Sequence, residues 1–319
     1  MARAALAGHR ADGASGVTRT IWLASYPKSG NTWLRMLIAN LSAKDDRPGD
    51  INALSERGGI ASALGPFDYL LLIDSGLLTH DETDSLRPRV YEELARGALD
   101  DEFDKSEAAP LVRFVKVHDA YTLTPMGEPL LAGARGADAA IVIVRDPRDV
   151  APSLANHHRS SIDDAIAFMN DKDAGWCAQT TGQHRQLRQK LPGWNGHIAT
   201  WLDQADIPVH LIRYEDLWAD TAGTLSRALA FAGRVTTDEE IRRAVTFADF
   251  TQLRQQERDK GFNGMPQGLG IKFFRRGQAG GWRDELTPEQ VARIESEHAR
   301  MMLRLGYELS HTPKLAYAG

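Results

Sequence analysis

Residues 21–41, IWLASYPKSGNTWLRMLIANL, decide how the rest of the chain is read. The run 21–24 is apolar and has the length of a buried strand, and a turn follows, Tyr26-Pro27-Lys28-Ser29-Gly30-Asn31. Its proline ends the strand and its glycine tolerates unusual backbone angles. From Thr32 the spacing becomes helical, with Trp33, Met36, Leu37, Asn40 and Leu41 three and four residues apart. A helix that opens directly after such a turn presents unpaired backbone N–H groups and the positive end of its dipole, which together suit a phosphate or sulfate. Lys28 adds a full charge there, and Ser29 and Thr32 add donors. The loop is not a Walker A loop, GxxxxGK[ST]. With Gly30 as the second glycine, Ser25 stands at the first and Asn31 at the lysine.

Composition narrows the classes. The chain has 319 residues, 42% hydrophobic and 25% charged, and a net charge of −5. That is an ordinary globular composition, and its sign argues against a general nucleic-acid or anionic-membrane binder. The single cysteine, Cys177, has no partner for an internal disulfide, which fits a reducing, cytoplasmic setting. No run approaches the roughly 18 apolar residues needed to span a bilayer, and residues 1–18 read as a disordered tail with neither a membrane anchor nor a secretory signal.

Further strands follow. Residues 111–117 (LVRFVKV) lead into His118, residues 139–144 (AAIVIV) into Arg145-Asp146-Pro147-Arg148-Asp149, and residues 208–213 (PVHLIR) into Tyr214-Glu215-Asp216-Leu217. Strands separated by helical stretches imply an α/β fold, a single domain over 19–310 with a mostly parallel central sheet flanked by helices. In such sheets ligands lie outside the carboxyl ends of the strands, which is where His118 and Arg145 fall. His118 titrates near neutrality and suits a general base. The connection 43–110 reads as helical with functional loops, and 261–270 as a glycine-rich flap. The adjacent pair His157-His158 points in divergent directions on a helix, and no Cys/His cluster supports it, so no metal is expected.

The loop at 26–33 resembles the phosphosulfate-binding loop YPKSGTTW of the cytosolic-type sulfotransferases that use 3′-phosphoadenosine 5′-phosphosulfate (PAPS), with Asn31 the single difference. The resemblance continues in order along the chain. Lys116-Val117-His118 is similar to the family's Lys-Thr-His, residues 145–153 to R-x-x-[KR]-D-V-x-x-S, residues 214–217 to YED-L/M, and residues 275–282 to RKGxxGDW, with Arg276 for Lys and Gly281 for Asp. It implies a P-loop-like fold, PAPS as co-substrate, adenosine 3′,5′-bisphosphate (PAP) as product, and a hydroxyl or amine of a small molecule as acceptor. By the same resemblance Lys28, Ser29, Gly30, Asn31, Thr32 and Trp33 hold the 5′-phosphosulfate and adenine, while Arg145, Ser153, Arg275, Arg276 and Gly277 hold the 3′-phosphate. Tyr214 and Phe247 would lie against the adenine, His118 would be the base, and Lys116 would steady the sulfuryl group. Phe67, Tyr69 and Leu72 are candidates for the acceptor wall, and Pro152 for a shifted helix start. The family's dimerisation pattern is not kept at Arg283, Thr287, Pro288 and Ala292, which leaves the oligomeric state open. Two other readings stay open: an ATP- and Mg²⁺-dependent phosphotransferase, and a non-catalytic sensor of 3′-phosphorylated nucleotides.

Overall fold

The structure is a computed structural model that describes residues 18–41, 47–55, 59–99, 112–179, 186–264 and 272–310. The N-terminal tail, apart from its last residue, and most of the glycine-rich flap lie outside these. Four parallel strands form the central sheet: β1 (Arg19–Ser25), β2 (Val112–Val117), β3 (Ala139–Val144) and β6 (Val209–Arg213), in the order β2-β1-β3-β6. Leu23 pairs with Lys116 on one side and Ile141 on the other, and Val144 pairs with Arg213. A two-stranded antiparallel ribbon, β4 (Gly175–Trp176) and β5 (Gln189–Lys190), lies apart from the sheet.

Both faces of the sheet are covered, which is why β3 is apolar at every position and fully buried. Successive side chains alternate between faces. Trp22, Ala24, Ala140 and Val142 enter one core, and Ile21, Leu23, Ala139 and Ile141 the other. The second core is closed by α1 (Asn31–Leu41), through Leu34 and Leu37, and by three helices late in the chain, which are α8 (Thr221–Ala232), α9 (Asp238–Phe247) and α10 (Phe250–Lys260).

The first core takes α2 (Leu64–Leu71), α3 (His80–Ala95), α4 (Pro147–His158), α5 (Ile162–Asn170), α6 (Gly193–Asp203) and α11 (Pro288–Arg304). The short α7 (Tyr214–Ala219) follows β6 directly. Helix α4 starts at Pro147, with Asp146 capping the amide of Arg148, so Pro152 lies inside the helix and does not shift its start.

The candidate acceptor wall is corrected here. Phe67 is packed in the first core, while Tyr69 and Leu72 are 55% and 90% exposed. Helix α2 ends at Leu72 in a left-handed conformation that turns this side chain to solvent.

Beneath the end of β2 lies an ion-pair network. The Arg87 guanidinium, fully buried, forks onto Asp119 and also reaches Asp84, the Tyr91 hydroxyl and the carbonyl of Arg188. Asp119 accepts in addition from the amide of Lys190, and its carbonyl takes the indole N–H of Trp201. The charge of Arg87 is thereby matched at every side, as a buried cation requires.

Candidate active site

Every strand of the sheet hands a functional segment to the same edge. The 26–30 loop leaves β1, His118 leaves β2, Arg145 leaves β3 and Tyr214 leaves β6, each at the carboxyl end. In the loop, Lys28 has φ 70° and Gly30 φ 105°. The left-handed conformation is unfavourable for a residue with a Cβ, and at Lys28 it is held by the surrounding packing. At Gly30 an added Cβ would sit 2.6 Å from Cδ2 of Tyr214, so this position needs glycine for both backbone angle and space.

The first helical bond runs from Leu34 N–H to the Gly30 carbonyl, 3.1 Å, and the amides of Asn31, Thr32 and Trp33 have no partner within the helix. Asn31 turns inward and donates from Nδ2 to the Leu23 carbonyl (2.8 Å) and to Ser25 Oγ (3.2 Å), tying the helix start to β1. Ser29 Oγ is buried and has no partner among the described residues.

A cavity of about 880 Å³ opens over this edge, and all the expected site residues line it except Ser29 and Phe247. On the β3 and β6 side, Arg145 donates to the carbonyls of Gln278 (2.9 Å) and Lys28 (3.4 Å), and its guanidinium lies 4.3 Å from the Tyr214 ring centroid. Asp149 accepts from the amides of Gly280 and Trp282, holding the 277–282 segment against α4. Arg275 forks onto Glu285.

Trp33 donates its indole N–H to the Ala248 carbonyl and meets Tyr214 edge-on at 5.7 Å between centroids. Phe250, not Phe247, is the aromatic that reaches the cavity from this region. Helix α9 ends at Phe247, Asp249 caps α10, and the break carries the next ring inward. Gly277 packs so close to Phe250 that a Cβ would fall 2.2 Å from Cδ2.

On the β2 side, His118 is buried, and its Nδ1 lies 2.8 Å from the Ser25 carbonyl. A carbonyl only accepts, so Nδ1 carries the proton and Nε2 keeps its lone pair. Burial, with a contribution from Lys116, pushes His118 well below its ordinary pKa and keeps it neutral. Its carbonyl accepts from Nε2 of His197, which is held neutral by burial at a pKa of about 4. His197 thereby supports the His118 backbone.

Lys28 and Lys116 both face the cavity. Burial lowers each to about 7, assisted at Lys28 by Arg145 and at Lys116 by Arg35. Lys28 Nζ lies 3.9 Å from the Phe273 ring centroid. Among the described residues no group of three or more His, Cys, Asp or Glu is placed to hold a metal ion.

A family model described as the sulfotransferase domain matches residues 18–306. The chain belongs to the sulfotransferase domain family. Cytosolic sulfotransferase 17 of Arabidopsis thaliana is 24% identical over 285 residues, which is 86% of this chain and 71% of the relative. Sulfotransferase 2B1 of Mus musculus is 26% identical over 167 residues, 51% of this chain and 47% of the relative. Among solved structures, mouse sulfotransferase SULT7A1 complexed with PAP superposes with a TM-score of 0.55 at 20% identity, covering 89% of this chain and 84% of that one. Retinol dehydratase in complex with androsterone and inactive cofactor PAP gives 0.54 at 20% identity, covering 92% and 82%. These two show a shared fold.

The enzyme is thus a sulfotransferase with a parallel α/β core, and its reaction class is sulfuryl transfer. Several residues of this sulfotransferase's cavity are not legible from the sequence. Trp176, from β4, packs edge-on to His118 at 5.5 Å and beside His157 at 5.4 Å, and donates its N–H to His158. Cys177 lines the cavity at φ 52°, its thiol pushed up by burial. Arg35, Gln186 and Gln189 also line it. Only Arg35 had a usable signal, a charge one turn beyond Asn31 on a helix whose neighbouring positions are apolar. No helix among the described residues is long and apolar enough to cross a membrane.

Proposed function

We propose that this enzyme moves the sulfuryl group of PAPS to a hydroxyl, less readily an amine, of a small molecule in the cytoplasm, with His118 as general base. The observation that carries the reading is that one cavity holds Lys28, Lys116 and the free Nε2 edge of His118 at the ends of adjacent strands, with Arg145, Ser153 and Arg275 further along its wall. The residues fit the group. A loop with unbonded helix amides suits the 5′-phosphosulfate, Trp33, Tyr214 and Phe250 offer aromatic surface to an adenine, and the arginines suit the 3′-phosphate.

In the proposed step, Nε2 of His118 takes the proton of the acceptor hydroxyl as its oxygen attacks sulfur. The bond between sulfur and the bridging phosphate oxygen breaks, and PAP leaves. Lys28 offsets the charge that develops on the leaving oxygen, and Lys116 that on the sulfuryl oxygens. A neutral imidazole whose other nitrogen is fixed by Ser25 is ready to accept a proton without rearrangement. A small-molecule acceptor agrees with the androsterone in the retinol dehydratase complex.

Calorimetric titration with PAP, AMP and ATP, with and without Mg²⁺, tests the donor. PAP should bind without metal and at least about tenfold more tightly than AMP, because charge-assisted bonds to the 3′-phosphate are lost in AMP. A preference for ATP with Mg²⁺ would overturn the reading in favour of a phosphotransferase.

A further inference from the structure

Charge is distributed unevenly along the cavity. Toward β3 and β6 each arginine has a carboxylate near it: Arg275 pairs with Glu285, Arg276 with Asp284 and Glu285, and Arg145 lies 4.0 Å from Asp149. Toward β2 stand Lys116 and Arg35, and among the described residues neither has an ion-pair partner.

Arg35 lies one turn beyond Asn31 on α1, and its hydrogen bonds bring it near the backbone of Lys116 on β2. Its Nη2 donates to the carbonyls of Leu54 and Gly59, and the Gly59 carbonyl also accepts the amide of Lys116 at 3.4 Å. Nε and Nη1 make no hydrogen bond among the described residues, and the side chain lines the cavity. Burial depresses this guanidinium, to about 10, and no carboxylate among the described residues acts against it.

A guanidinium withdrawn from water is costly unless its charge is met, and two carbonyls meet it only in part. Arg35 shares the Gly59 carbonyl with the amide of Lys116 on the edge strand β2, whereas Arg145, assigned to the nucleotide, follows β3 on the other side of β1.

We propose that Arg35 receives an anionic group of the acceptor, so that the preferred acceptors are hydroxylated acids and not neutral alcohols or phenols. This rests on the sulfotransferase reading above. Because His118 and Arg35 line the same cavity, the acid group and the reacting hydroxyl belong to one small molecule.

The test is ligand-observed NMR on the PAP-loaded protein, using pairs of hydroxylated aromatic, aliphatic and sugar compounds that differ only as carboxylate or primary amide. Carboxylates should bind at least about tenfold more tightly than their amides, the margin of one charge-assisted hydrogen bond. Arg35→Met should abolish the difference with PAP affinity unchanged, and Arg35→Lys should keep part of it. Equal binding by the two members of each pair, binding by neither, or a preference that persists in Arg35→Met overturns the proposal. The wild-type comparison decides it alone if the variant does not fold. Failure of PAP itself to bind is a separate outcome, which removes the donor assignment and this one with it.

Discussion

Nucleotide binding should take up protons, and the amount follows from two lysines. Burial pushes Lys28 and Lys116 down to about 7 by disfavouring their charged forms, and neighbouring cations add to the effect. At pH 8 a group with that pKa is only about one-tenth protonated. If PAP seats its phosphates beside these lysines, as proposed, it should raise their pKa and restore each to nearly full charge. The expected uptake is then about 0.9 proton per lysine at pH 8, or up to about 1.8 in all, against about 0.2 at pH 6.

The sign is fixed by the direction of the shift. The free protein binds fewer protons than the complex, so affinity is greatest on the acid side and falls as pH rises through 7. Above pH 7 the ligand's phosphates are already ionised, their second pKa being about 6. Between pH 7 and 8.5 each lysine should therefore weaken binding by about 15-fold. Calorimetry at pH 8 in buffers of different ionisation enthalpy reads the proton count directly, and Lys28→Met or Lys116→Met should halve it. An uptake below about 0.3 proton, with affinity flat from pH 7 to 8.5, would refute the reasoning, because the lysines would then be charged before the ligand arrives.

His118→Ala should lower kcat by about 10²- to 10⁴-fold while the Kd for PAP stays within about threefold. Sulfuryl transfer from labelled PAPS to a hydroxybenzoate probe measures the first and calorimetry the second, and unchanged turnover would remove His118 from the chemistry. Arg87→Met should cost about 3–5 kcal/mol in chemical denaturation, because Asp119 loses the fork that neutralises it inside the core. A loss under about 1 kcal/mol would mean that Asp119 is neutralised by other means.

The two central strands were legible because they are covered on both faces and read as unbroken apolar runs: the third was placed at residues 139–144, and the first at 21–24 within the observed Arg19–Ser25. The place of Lys28, His118, Arg145 and Tyr214 on the cavity was legible for a related reason: each follows a strand end at once or within a short turn, so fixing the strand fixes where it falls. Phe247 shows the limit. It lies one helical turn from Phe250, and periodicity could not reveal that a helix ends and another begins between them.

Arg87 shows another limit. It stands in a segment dense with charge that reads as surface, and its burial depends on Asp119, 32 residues further along the chain. Tyr69 and Leu72 failed as wall residues for a similar reason, since the turn at Leu72 is a backbone event that their apolar character does not announce.

The two halves of the cavity are built on different footings. Lys28, Arg145 and Tyr214 stand next to strands whose ladders and two cores fix them. Leu54 and Gly59, which hold Arg35, together with Trp176 and Gln186, belong to connections and to a ribbon outside the central sheet. Gene duplicates of such a chain can exchange these walls, by drift or by insertion, while the donor grip is inherited intact. Lineages of this architecture should diverge in what they modify long before they diverge in what they modify it with.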